Sequence, residues 1–210
     1  MHVALVLLAT SSIRWSALPP LLLTSLAIMG SPGPATISLT ATGVAFGVRR
    51  STRYLAGIVS GTIVVLLMVA AGLTGALLAL PAVRPAFIAI AAAYIVYLAY
   101  HIATAPPLAT ADRDAPAPSL GGGLLLGVAN PKAWVAIAAV FVSARIATHT
   151  LADSGIKVAA LTVMIVAINT GWLLAAAWVA PALRDPVRSR RANIALAVAL
   201  VASTAAAVVH

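Results

Sequence analysis

Two proline breaks fall near the middle of long uncharged runs, Ser31-Pro32-Gly33-Pro34 in the first and Asn130-Pro131-Lys132 in the fourth. Such runs lie at about 17–48, 54–80, 86–105, 120–143, 156–181 and 193–209, and roughly 17 or more apolar residues suffice to cross a bilayer as helix. In lipid no water satisfies a freed backbone group, so a break at that depth has to be buried in protein or line a cavity. With 62% hydrophobic and 8% charged residues and a mean hydropathy of +1.08, six crossings and their short connectors use up all 210 residues. One membrane domain over 1–210 is expected, with no room for a soluble one.

The first run is too long for a straight crossing. Its 17–48 extent would reach roughly 48 Å at 1.5 Å per residue, against a hydrocarbon core of about 30 Å. Proline removes a donor and clashes with the preceding turn, so Pro32 and Pro34 predict two half-helices set at an angle. The segment 106–118, with four prolines, Asp112, Arg113 and Asp114, is the one loop-like stretch. It divides the chain into halves of about 13–105 and 119–210, each with three runs and a break in the first of them. Three is odd, so the second half crosses inverted relative to the first. The expected fold class is therefore an all-α integral membrane protein of six transmembrane helices, built as two inverted three-helix repeats with broken first and fourth helices. Interrupted segments at corresponding places in inverted halves point to a binding site at the midplane. The plainer reading is a non-transporting scaffold with two proline kinks.

The formal charge of +9 comes from 13 basic residues set mostly between the runs, which places them at headgroups and argues against nucleic acid as a partner. Arg49, Arg50, Arg53, Arg113, Arg184, Arg188, Arg190 and Arg191 fall in connectors on one side. Arg14, Arg84, Arg145 and Lys157 fall on the other. Cytoplasmic loops are the richer in Lys and Arg, so both termini are expected outside the cytoplasm of a multi-pass cell-membrane protein. The apolar start, Met1 to Ala9, lacks a basic segment and reads as an extended start of the first helix rather than a cleaved signal.

At Pro32-Gly33-Pro34-Ala35-Thr36 a helix restarts, and its first N–H groups have no intrahelical partner. With the positive end of the helix dipole they suit a carboxylate. Gly33, Pro34, Ala35 and Thr36 are candidate substrate contacts, though Thr36 is equally suited to a local backbone bond. Gly43 and Gly47 read as a small-residue packing pair, as do Gly57 with Gly61 and Gly123 with Gly127. Asn130 and Pro131 have the chemistry of a helix start, N-cap followed by proline at the first position. Lys132 is the only formal charge near the centre of a run, about ten residues from either end and beyond snorkelling reach, so it needs a partner or a wet cavity. Asn130, Pro131 and Lys132 complete the second half of the candidate site. Tyr94, Tyr97 and His101 share a helix face; Tyr94 and, in the fifth run, Asn169 are deep enough to line a cavity or to bond a neighbouring helix. Tyr100 and His101 read as interfacial anchors.

Cysteine and glutamate are absent, and Asp112, Asp114, Asp153 and Asp185 fall outside the runs. Thiol redox chemistry is excluded. No metal ligand set stands at depth and no nucleophile, base and orienter occur together. Neither a cofactor, a metal nor an enzymatic activity is expected.

The order of Pro32-Gly33-Pro34, Gly47-Val48-Arg49-Arg50, Gly57 to Gly61 with Gly72-Leu73, Ala91 to Leu98 and Gly127-Val128-Ala129-Asn130-Pro131-Lys132-Ala133 resembles the lysine exporter superfamily. Within it, the chain is similar to the homoserine, threonine and leucine exporter branch. The resemblance covers about Leu22 to Val142 by motif and the rest by architecture. It implies export of amino acids or related small carboxylate metabolites, driven by the membrane potential or a proton gradient. Members often carry an acid directly after the second glycine of the second span, where this chain has Thr62. Either proton coupling falls to His101, Lys132 or a tyrosine, or transport is coupled differently, and a neutral amino acid is favoured as substrate because no acid balances a cationic one. The other readings are an exporter of metal ions or lipid-linked material, and the scaffold. A homo-oligomer in the bilayer is compatible with the sequence, which does not set the state.

Overall fold

The computed structural model describes residues 12–72, 83–104, 118–179 and 185–209. Apart from one antiparallel bridge between Ile13 and Ala147, the regular structure there is helical. A 3-10 turn at Trp15–Ala17 leads into α1 (Leu18–Met29), α2 (Pro34–Phe46), α3 (Val48–Ala70) and α4 (Val83–Ala103). Then follow α5 (Leu120–Ala129), α6 (Pro131–Ser143), α7 (Thr150–Val179) and α8 (Pro186–Val209). The segment 105–117 with Asp112, Arg113 and Asp114, the run Met1–Ala9 and Arg184 lie outside the described residues.

Both expected breaks are present. The chain bends by 66° between Trp15–Met29 and α2 and by 57° between α5 and α6, and each bent pair taken together is long and apolar enough to cross a membrane. Among the described residues α3 and α7 meet that test singly, giving two crossings, or four with the bent pairs. Helices α4 and α8 occupy the third and sixth runs.

The helices start earlier than the runs do. Arg49, Arg50 and Arg53 stand in the first two turns of α3, and Arg188, Arg190 and Arg191 in those of α8, where a connector was expected. Asp153 and Lys157, also expected outside the membrane segments, belong to the first turns of α7. There they form a buried ion pair, 2.8 Å long. The other Asp153 oxygen accepts the N–H groups of Ile146 and Ala147, so the pair pins the α6–α7 connector and, through Arg14 N–H to Ile146 O at 2.7 Å, the start of the described chain.

Glycine sets the closest helix contact. A Cβ on Gly123 would meet the backbone of Tyr54 and Ile58, one on Gly57 that of Leu120 and Leu124, and one on Gly127 the Cα of Gly61. The two expected small-residue pairs thus face each other across α3 and α5. Gly43 also packs, against Leu173 and Ala176 of α7. Gly47 does not. It has open space around its Cα and a φ of 83°, a left-handed conformation that favours glycine, and it alone separates α2 from α3.

Helix α3 packs on α5, α6 and α7, α2 on α7 and α8, α1 on α6 and α7, and α4 on α5 and α8. Two apolar cores result. One gathers Leu39, Tyr54, Ile58, Leu98, Ile102 and Leu200; the other gathers Leu21, Leu66, Ile137, Val140, Leu161 and Ile165. Large side chains left exposed, such as Leu23, Val142, Val163 and Trp178, form the kind of surface that lipid covers.

Candidate functional site

Each break frees backbone groups that a continuous helix would pair, and side chains take up several of them. Pro32 cannot donate to Ile28 O, which accepts the Ser31 hydroxyl at 2.8 Å instead. Pro34 cannot donate to Gly30 O, which accepts Trp172 Nε1 from α7 at 3.1 Å. Gly33 is extended, with φ −166°; its N–H donates to Thr36 Oγ1 at 2.9 Å, and the Thr36 hydroxyl contacts Gly33 O at 3.1 Å. The local backbone bond is therefore one role that Thr36 fills.

The second break is capped by its own sequence. Asn130 Oδ1 accepts Lys132 N–H at 3.2 Å, as an N-cap does, and Pro131 takes the first helical position. Diverting Lys132 N–H leaves Val128 O without its helical donor. Trp134 Nε1 fills the gap at 2.7 Å.

The two breaks are joined by one side chain. Lys132 Nζ donates to Ser31 O, to Ser31 Oγ at 2.8 Å and to Pro32 O at 3.0 Å. These oxygens follow the C-terminal, electronegative end of α1, where a cation is favoured. The lysine stem lies across Gly33, where a Cβ would come within 2.6 Å of Lys132 Cδ.

Beside this strut lies a cavity of about 40 Å³ lined by Gly33, Ala35, Thr36 and Met29, by Asn130, Lys132, Ala133, Ala136 and Ile137, by Thr62, and by Ile165, Ile168 and Asn169. It sits where the two apolar cores meet, taking Ala35 from one and Ile137 and Ile165 from the other. The starts of α2 and α6 both reach it, and its lining holds no carboxylate and no imidazole. About 10–15 Å³ on this measure holds one water, so the space admits about three waters and no amino acid.

A family model of LysE type translocators matches residues 26–209. The chain belongs to the LysE type translocator family. Searches of curated proteins and of solved structures return no match. Membership in a family of transporters supports a membrane exporter, and the match spans both breaks and the cavity between them.

Of the residues expected at the translocator's site, Gly33, Ala35, Thr36, Asn130, Lys132 and Asn169 line the cavity, with Pro34 and Pro131 opening the helices that reach it. Asn169 Nδ2 donates to Ile165 O, one turn back, at 2.8 Å. Tyr94 and His101 are not brought there. Tyr94 lies against Gly122 in the first turn of α5, about 12 Å along that helix from Asn130 at 1.5 Å per residue. His101 packs against Tyr97, ring centroids 4.4 Å apart and planes tilted by 57°, and lies edge-on to Tyr100 at 5.9 Å near the end of α4. The sequence reading did not single out Trp172, Met29, Ile165 or Ile168 as lining or strut residues. Trp172 carried one signal, an indole N–H inside an apolar run that needs an acceptor. Thr62, noted only as a departure from the family pattern, is buried in the cavity wall with its hydroxyl on Ile58 O at 2.8 Å.

Proposed function

We propose that this translocator exports a neutral amino acid or a related small carboxylate metabolite across the cell membrane by alternating access, in the manner of the homoserine, threonine and leucine exporter branch. The reading is carried by one observation: the N-terminal ends of α2 and α6 reach the same cavity, whose lining brings an ammonium and no acid. Helix starts of this kind favour a carboxylate, and a cationic substrate would find nothing there to balance its charge. The same absence of carboxylate and imidazole from the lining argues against a divalent metal as cargo.

In this reading the chain is one transmembrane domain of six crossings, with halves of about 13–105 and 119–210 inverted about the cavity. The matched half-helices support it, since α2 and α6 are 13 residues each and both begin with proline. So does the packing. Exchanging α1–α4 for α5–α8 turns the α3–α5 contact into α7–α1, α2–α7 into α6–α3 and α1–α6 into α5–α2, all of which occur. The contacts of α3 with α7 and of α4 with α8 map onto themselves, while α2–α8, α4–α5 and α2–α3 have no counterpart of similar extent. The arginine-rich first turns of α3 and α8 belong at the cytoplasmic face, with both termini on the other side.

The test is efflux of labelled amino acids from cells overproducing the chain, with and without a protonophore. Neutral amino acids are expected to leave at least several-fold faster than from control cells, and Lys132→Ala is expected to abolish most of the gain. Equal efflux from both cell types across all twenty amino acids would remove the proposal.

A further inference from the structure

The Lys132 ammonium occupies a site that its own break does not need. Capping of α6 uses Asn130 Oδ1 and the main chain, while the charge reaches about a hundred residues back to Ser31 O, Ser31 Oγ and Pro32 O. Three oxygens converge on one tetrahedral nitrogen, and the Ser31 hydroxyl is turned for the purpose, its proton given to Ile28 O and a lone pair left for the cation. Gly33 keeps the approach clear, since any Cβ there would strike the lysine stem.

From this arrangement we infer that the carbonyls of Ser31 and Pro32, with the Ser31 hydroxyl, form the subsite for the substrate's primary ammonium, and that Lys132 fills it as a tethered stand-in when no substrate is bound. The inference rests on the exporter reading for the identity of the guest. On entry of a zwitterion, its ammonium replaces Nζ at the oxygens, and the released Lys132 meets the carboxylate at the start of α2. One ammonium replaces another, so the oxygens stay paired throughout. A zwitterion also adds no net charge to a low-dielectric centre, where an uncompensated one is costly. Ser31 lines not the 40 Å³ cavity but a more open groove of about 690 Å³ between α1 and α7, which shares Ile168 with it, so a zwitterion reaches both the oxygens and the start of α2 only when the two spaces join.

The subsite is tested without transport. The full chain carrying Lys132→Ala is purified, and its thermal unfolding is followed by tryptophan fluorescence in methylammonium chloride and, at equal ionic strength, in tetramethylammonium chloride. The variant is expected to melt below the parent and to recover several degrees, saturably, with methylammonium alone, because tetramethylammonium has no N–H to donate; the parent should respond to neither. An equal response of the variant to both salts, or none, overturns the subsite. Lys132→Met, which keeps the stem without the charge, serves if the alanine variant does not fold. A measurement on the parent stands beside it: leucine should be exported at least tenfold faster than its 2-hydroxy analogue, and equal rates would count against an ammonium subsite. Failed amine recovery with intact amino-acid efflux removes the subsite and spares the exporter reading. Recovery with no efflux of any amino acid does the reverse.

Discussion

Gly33 and Lys132 are separated by almost half the chain and yet restrict each other. The extended backbone at Gly33, φ −166°, is open to any residue, so the glycine is required by what crosses it rather than by its own dihedral. Gly33→Ala should therefore displace Lys132 and cost about 1–3 kcal/mol, the usual range for overpacking. In the Lys132→Ala background, where the stem is gone, the same change should be nearly neutral. A double-mutant cycle by thermal unfolding checks this; additive losses would show that the two side chains are not coupled. Residue identities at the breaks were legible because Pro, Gly and Asn act through local geometry. Long-range partners were not: nothing in the spacing tells that Lys132 reaches Ser31 or that Trp172 donates to Gly30 O, since both contacts depend on how α6 and α7 pack around α1.

At the scale of helices, hydropathy placed a helix or a bent pair of helices in each uncharged run but misplaced their ends. A charged residue marks where lipid stops, not where hydrogen bonding along the helix stops. That is why Arg49 to Arg53, Asp153, Lys157 and Arg188 to Arg191 stand inside helices, and why Gly47 proved to be a connector rather than a packing residue. The facing pairs Gly57, Gly61, Gly123 and Gly127 were readable singly, though not as partners. Their contact is backbone on backbone, which cannot give way as a side chain can. Gly123→Ala is expected to destabilise the purified protein by roughly 1–3 kcal/mol. Gly171→Ala, where nothing lies within reach of a Cβ, should be neutral or slightly stabilising through helix propensity. Comparable melting of the two variants would remove glycine-mediated approach from the account of how α3 and α5 meet.

For the molecule as a whole, everything turns on whether water reaches the centre. The sequence contains no cysteine, so single thiols can be placed at will. Thr36→Cys and Ala133→Cys line the cavity and should react with a membrane-impermeant thiol reagent in intact cells, more slowly when a transported amino acid is added. Val163→Cys, on an exposed apolar face of α7, should stay unlabelled behind lipid. Equal silence at all three positions would leave a packed bundle with kinks. Tyr94 and His101 show where the larger arrangement escaped sequence reading: a polar group at the right depth says nothing about which neighbour it faces, and Tyr94 lies against α5 while His101 lies against Tyr97 and Tyr100 of its own helix.

The strut across the two breaks also bears on direction of flow. If the Lys132 amine takes the place of cargo as proposed, an exporter of this kind can reset without a passenger. Under that proposal it would not need to take one molecule in for each it lets out, and a cell could use it to drain a surplus outright rather than merely to trade it.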